Sequence, residues 1–225
     1  MLGLLSGGFA LAAERESLAQ SQPPSIVLIV TDDTQPSDLE VLPKTRALIG
    51  DAGTTFPNLF AATPLCSPSR ASLLTGQFAH NHGLLGNQGD TGGWRRFAGA
   101  DIGTRTMQVP LHAAGYRTGL IGKLLNGVPG SGAVGPDWDE AFVQTDFRYR
   151  AFKVNHNGRR RRFGSKPYST AVLAQQAAAF IRDTPDEQPL FLHISPIAPH
   201  NIPKSPRPLR KQFRDTSQTR SPDLN

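Results

Sequence analysis

The sequence predicts an α/β protein whose reactive groups gather at one rim of a largely parallel sheet. Three observations predict it. Ser25–Thr31 is a continuous β-branched run, the pattern of a strand buried on both faces. Two later stretches read as a helix followed by a strand, Met107–Ala114 then Tyr116–Ile121, and 169–182 then Leu190–Ile194. Finally, Asp32-Asp33, Lys123 and His200 all follow predicted strands, where open α/β sheets carry their sites.

At 225 residues the chain is long enough to bury a substantial core. Its 22 Gly and 19 Pro point to a loop-rich globular protein rather than a helical bundle. A net charge of +6 favours anionic partners: nucleic acid, anionic polysaccharide or small sulfated or phosphorylated molecules. With one cysteine no internal disulfide can form, and a CxxC redox site is excluded.

Residues 2–13 are apolar, and Ala10–Ala12 or Ser17–Ala19 offers a small-residue cleavage pattern. Residues 1–24 are therefore expected to be a signal peptide and linker, although no basic residue precedes the apolar run. The run is too short to span a bilayer, so export without stable membrane insertion is the expected localisation. Residues 25–225 form the remaining unit.

Within that unit the first strand ends in Asp32-Asp33. Adjacent carboxylates repel, and a bound cation is one reason to keep both; a solvated turn is the other. Pro43 to about Ala52 reads as a helix stopped by Gly53, and Thr54–Leu59 as a short strand. His80 and His82 suit either a metal or an ordinary core position. Gly115 stops the 107–114 helix, and the strand after it closes on Gly122-Lys123. Residues 126–140 are loop.

Asn157-Gly158 is a strong hairpin signal, and Arg159–Arg162 follow it. Those arginines are expected on alternating faces of a charged edge strand, with anion steering as the second reading. Without interleaved aromatics or a nucleic-acid-binding motif they do not argue for nucleic acid as a partner. Ser169 or Thr170 caps a helix through Arg182, and His200 sits in a loop stiffened by Pro199 and Pro203.

The stretch Pro64–Gly76 carries the single cysteine, Cys66. If Pro68 opens a helix, Cys66 lies at its N-terminal lip, where free N–H groups favour an anion. A small buried thiol in a turn is the plain alternative. The string Cys66-Ser67-Pro68-Ser69-Arg70-Ala71-Ser72-Leu73-Leu74-Thr75-Gly76 closely resembles the signature of the type I sulfatases. Asp32-Asp33 resembles that family's metal pair, Gly115–Lys123 its second signature, and Ala198-Pro199-His200 its sulfate-binding histidine loop.

The resemblance implies an alkaline-phosphatase-like α/β/α sandwich and hydrolysis of sulfuric esters. It implies that a maturation enzyme converts Cys66 to formylglycine, whose hydrated aldehyde attacks sulfur and later expels sulfate. It also implies a divalent metal, calcium by preference and magnesium as the alternative, on Asp32, Asp33 and residue 66. Arg70 would orient the diol, Lys123 hold sulfate oxygens, and His200 bind sulfate near the leaving oxygen. A phosphate or phosphonate monoester hydrolase of the same superfamily and a non-catalytic polyanion-binding fragment are the competing readings.

Gly122-Lys123-Leu124-Leu125-Asn126, Tyr168-Ser169-Thr170 and Ser221–Asn225 resemble the branch of N-acetylglucosamine-6-sulfatases and heparan endosulfatases. That makes a sulfated sugar the expected substrate. The family's later Asp-Asn or Asp-His pair before Gly has no counterpart; Asp215 and Asp223-Leu224-Asn225 do not fit it. The chain is accordingly expected to be the N-terminal portion of a sulfatase domain, incomplete at its C-terminus and nearly inactive alone.

Overall fold

The computed structural model describes residues 22–200. The expected leader in residues 1–21 and the Pro- and Arg-rich stretch 201–225, with Pro203, Asp215 and Asp223, lie outside the described residues.

Strand β1 (Ile26–Ile29) is followed by a 3-10 turn over Pro36–Val41 and the short helix α1 (Pro43–Thr45). Helices α2 (Cys66–Thr75), α3 (Ala79–His82), α4 (Gly93–Gly99) and α5 (Gln108–Ala113) come next. Then come β2 (Arg117–Gly122), β3 (Glu140–Gln144), β4 (Lys153–His156), β5 (Arg159–Arg162), α6 (Ser169–Arg182) and β6 (Leu190–Ser195). The sheet order is β1-β6-β2-β3-β4-β5. The first four run parallel, and β4 and β5 form an antiparallel hairpin on β3.

Alternation along the strands divides the core into two layers. Leu120 and Val143 face one side, where they pack with Ala71 and Leu74 of α2 and with Leu84, Phe97 and Ile102. Ile121, Phe142, Leu190 and Leu192 face the other, against Leu173, Ala177 and Phe180 of α6. Burying each such large apolar side chain contributes roughly 1.5–3 kcal/mol, so the two clusters fix both helices to the sheet. The result is the expected α/β/α layering. The hairpin turn also follows its sequence signal: Asn157 and Gly158 both have positive φ, as a type I′ turn requires.

Three expectations change. Strand β1 is an edge strand rather than one buried on both faces. Among the described residues only β6 pairs with it, and Ile26, Val27 and Ile29 remain 38%, 46% and 52% exposed. Thr54–Leu59 forms no strand: among the described residues it pairs with no other strand, and an unpaired segment has no ladder to complete. The helix expected from Pro43 to Ala52 is one α turn continued by a π turn over Arg46–Gly50.

Candidate active site

The parallel arrangement puts the C-terminal ends of β1, β6 and β2 side by side. Asp32 follows β1, Lys123 follows β2, and the 196–200 loop follows β6. The rim is stitched by main-chain bonds: the Asp32 amide donates to the Ala198 carbonyl (3.2 Å) and the Lys123 amide to the Ser195 carbonyl (2.6 Å). Gly122 makes the second of these possible. Its φ is +117°, and a Cβ there would fall on the Ser195 carbonyl oxygen.

Helix α2 delivers Cys66 and Arg70 from one layer of the sandwich. Cys66 is the first residue of the helix and Leu65 its N-cap, so the helix starts two residues before Pro68. That is a small correction to the sequence reading, and it leaves Cys66 at the helix lip. No side chain of the local sequence caps this end. Instead Asn87 reaches back from the 83–92 loop, its Oδ1 accepting the Ser67 amide hydrogen at 2.8 Å. The Ser67 hydroxyl donates to Asn126 Oδ1 and accepts from the Asn126 amide, both at 3.1 Å. Asn87 and Asn126 thus hold the lip of α2 from two other loops.

Arg70 lies one helical turn further on, 4% exposed. Its Nη1 donates to the Lys123 carbonyl (2.9 Å) and to the Ser195 hydroxyl, and its Nη2 meets Asp32 Oδ1 at 3.3 Å. Lys123 Nζ donates to the other oxygen, Asp32 Oδ2, at 2.7 Å. The carboxylate is therefore bracketed by two buried cations, an arrangement that offsets the cost of burying all three.

The two aspartates part company. Asp32 is buried, whereas Asp33 is 62% exposed with φ +60° and stands 3.6 Å from His200 Nε2. The left-handed backbone at Asp33 turns the chain after the strand, and both aspartates stand near the same imidazole, Asp33 through this contact and Asp32 within 4.8 Å of it. The ligand atoms that converge belong to Asp32, Cys66 and His200, all within 4.8 Å of one another. His200 Nδ1 is buried without a hydrogen-bond partner among the described residues, which leaves it available to a ligand.

Two residues that sequence reasoning missed hold the His200 loop. The Phe147 ring stacks on the His200 imidazole, centroids 4.8 Å apart, and the Lys123 ammonium lies 4.7 Å from the same ring's centroid. The Tyr149 hydroxyl donates to the His200 carbonyl at 2.7 Å. Burial, with Tyr168 and Asp32 adding to it, pushes the Tyr149 phenol up to about 12, so it stays a donor at neutral pH. Both residues leave the end of β3 two positions apart. Only the alternation Phe147-Arg148-Tyr149 could have hinted at them.

Of the earlier histidines, His82 is structural. Its Nδ1 accepts the Leu84 amide hydrogen and its Nε2 pairs with the Ser72 hydroxyl, both at 3.0 Å, which ties α3 to α2. Burial first, then Arg105 and His80, lowers its pKa, so it remains neutral. His193 on β6 was not singled out by the sequence reading. It is fully buried with both ring nitrogens unpartnered among the described residues.

A buried carboxylate, two buried cations and a histidine thus meet at one rim of an α/β sheet, with a cysteine at a helix lip. Residues 24–224 match the sulfatase family model, and the chain belongs to the sulfatase family. It is 34% identical to the Drosophila melanogaster extracellular sulfatase SULF-1 homolog over 193 residues, which cover 81% of this chain and 17% of that protein. It is 30% identical to the Capra hircus N-acetylglucosamine-6-sulfatase over 220 residues, 91% of this chain and 39% of that protein. These relatives place it in the N-acetylglucosamine-6-sulfatase-like branch of the type I sulfatases. The chain thus spans less than half the length of either relative.

Among solved structures, one captured with its substrate D-glucosamine-2-N,6-O-disulfate superposes with a TM-score of 0.64 at 23% identity, over 79% of this chain and 35% of that one. Another, in complex with a neocarrahexaose, also gives a TM-score of 0.64, at 20% identity over 88% and 50% of the two chains. These likenesses establish the alkaline-phosphatase-like α/β fold.

Proposed function

We propose that this chain carries the nucleophile-bearing part of an enzyme hydrolysing sulfate esters of sulfated sugars. The carrying observation is the convergence on one rim of Asp32, Arg70 and Lys123, all buried, with Cys66 and His200. A sulfate ester is an anion whose oxygens shield its sulfur, so attack requires fixed positive charge around it. Lys123 is the sulfate-holding group in this reading, and His200 contacts sulfate beside the leaving oxygen. Arg70 orients the nucleophile from the next turn of α2. The relatives' names support the substrate class, and the same reading gives an exported protein with its leader and linker in residues 1–24. No helix among the described residues is long and apolar enough to cross a membrane.

The donor chemistry bears on both implied groups. As a thiolate, Cys66 with Asp32 and His200 makes a mixed sulfur, oxygen and nitrogen set that suits softer metals. Conversion of residue 66 to formylglycine by a maturation enzyme replaces that sulfur with oxygen, and the set then fits calcium or magnesium. Asp32, Asp33 and residue 66 would hold the cation. The modified residue supplies a hydrated aldehyde as nucleophile, and the cation supplies Lewis acidity. Calcium takes about six to eight oxygen ligands, so these three residues alone bind it weakly and turnover by the 225-residue chain is slow.

The test is sulfate release from glucosamine 6-sulfate by the purified chain, with the aldehyde at position 66 verified by mass spectrometry. The expected result is slow release that requires both the aldehyde and millimolar calcium, and is lost in Lys123→Met. Absence of release from a fully converted chain overturns the assignment, as does faster hydrolysis of the matching phosphate ester. High turnover at micromolar calcium overturns the weak-metal inference.

A further inference from the structure

We infer that the rim of the β3–β5 region is a docking track for the flanking part of an extended sulfated polysaccharide, beyond the single reacting sugar. This inference rests on the proposed sulfatase reading and names the form of its substrate.

The charge of the chain is concentrated in one place. Residues 148–166 contain eight basic residues and no carboxylate: Arg148, Arg150, Lys153, Arg159, Arg160, Arg161, Arg162 and Lys166. The chain carries 24 Lys and Arg against 18 Asp and Glu, so without these eight it would be net negative. All of them except Arg150 are exposed. None of the eight forms an ion pair with a carboxylate among the described residues, unlike Arg95, which meets Asp90 at 3.0 Å.

Sheet register then shows which of these charges share the rim with the candidate active site. β3 is parallel to β2, so its C-terminal end, Gln144, lies on the same rim as Lys123. In the antiparallel ladder Gln144 faces Val154, and Lys153 pairs with Arg162. Lys153 and Arg162 therefore stand at the rim end of the hairpin, whereas Arg159, paired with His156, stands at the far end. Arg148 sits between Phe147 and Tyr149, the two residues that contact His200. Lys166 follows β5 at the rim, where Arg150 bonds its carbonyl and that of Ser165 and so joins the two connecting segments.

The rim from Lys123 to Arg162 spans three strand spacings, roughly 14 Å. Lys123 and His200 stand at the inner site, and the cations beyond them are Arg148, Lys153, Arg162 and Lys166. A free monosaccharide sulfate needs only the first two. A linear chain with several sulfates places further anions along the remainder. Exposed cations left without carboxylate partners keep their full attraction for such a chain, which is screened by salt.

The experiment measures binding of a size-defined heparin octasaccharide by calorimetry at 0.15 M and 0.5 M salt. Three full-length chains are compared: the unaltered one, a rim variant with Arg148, Lys153, Arg162 and Lys166 changed to Ser, and a charge-matched control with Lys44, Arg46, Arg95 and Arg182 changed to Ser. The rim variant is expected to lose at least about tenfold in affinity at the lower salt and the control less than about threefold. A single-stranded DNA of equal charge should bind the unaltered chain at least about tenfold more weakly. Equal losses in both variants, or equally tight DNA binding, overturn the track. These readouts need no turnover, so they separate failure of the track from failure of the proposed hydrolysis.

Discussion

Asp32 shows how one side chain organises the centre. Each of its oxygens faces a different buried cation, and truncating either cation would leave a charge out of water with a diminished partner, a change that costs about 3–5 kcal/mol for a buried pair. The site is thus also a structural knot. His193 makes the opposite point. It is wholly buried on β6, and burial, assisted by the positive charge of Arg70, holds its pKa down at about 3. In the unfolded chain it titrates near its ordinary value of 6.5. Between these values the unfolded state binds more protons, so stability is greatest above pH 6.5 and falls as the pH drops toward 3. The loss from this residue approaches about 1.4 kcal/mol per pH unit across that window. Urea denaturation at pH 7, 6, 5 and 4 should show it, and His193→Phe should flatten the slope. An unchanged slope in the variant would place the pH dependence elsewhere.

Much of the element scale was legible beforehand. The helix stops at Gly76 and Gly115, the hairpin turn at Asn157-Gly158, the end of α6 at Arg182 and the strand leading to Lys123 followed from local chemistry, because each depends on residues adjacent in sequence. The expected cap of α6 by Ser169 or Thr170 did not: Tyr168 is the N-cap, no side chain caps this end, and both hydroxyls are buried inside the helix without a partner among the described residues. Long-range partners were not legible. Helix α2 looks uncapped in its own sequence because its acceptor, Asn87, arrives from a loop 20 residues away. Phe147, Tyr149 and Ser195 likewise act across the fold, and nothing in their local spacing announces a partner. The cap gives a defined expectation. Asn87→Ala should lower stability by about 1 kcal/mol and raise the rate at which a bulky thiol reagent modifies Cys66, since the first turn of α2 loses its tether. Denaturation and thiol-labelling kinetics read the two effects. Full stability with unchanged labelling would show that Asn126 alone suffices.

At the scale of the whole molecule, the sequence pattern of β1 and its observed exposure disagree. Ile26, Val27, Leu28 and Ile29 have the composition of a central strand, yet among the described residues one side of β1 has no neighbour. Hydrophobic composition reports the burial a strand is suited to, not the number of neighbours present. Phe56, Leu59 and Phe60, which are 72–85% exposed, add apolar surface elsewhere on the molecule. An apolar edge of this kind invites pairing with a second chain. Val27→Lys, a charge on an outward half-exposed position, should reduce concentration-dependent association in sedimentation velocity without altering the far-ultraviolet spectrum. Unchanged association would clear this edge of responsibility.

Gly122 carries no functional group, yet it sets the distance between those that do. The missing side chain lets β2 close against β6 at their ends, where the Ser195 carbonyl receives the Lys123 amide and the Ser195 hydroxyl receives Arg70. Any larger residue would act as a wedge at that seam and move lysine and guanidinium apart together. In a mutational scan this silent position should thus rank with the charged ones in intolerance. Gly122-Lys123 is best regarded as a single hinge-and-hook unit, selected as much for an absent atom as for a present charge.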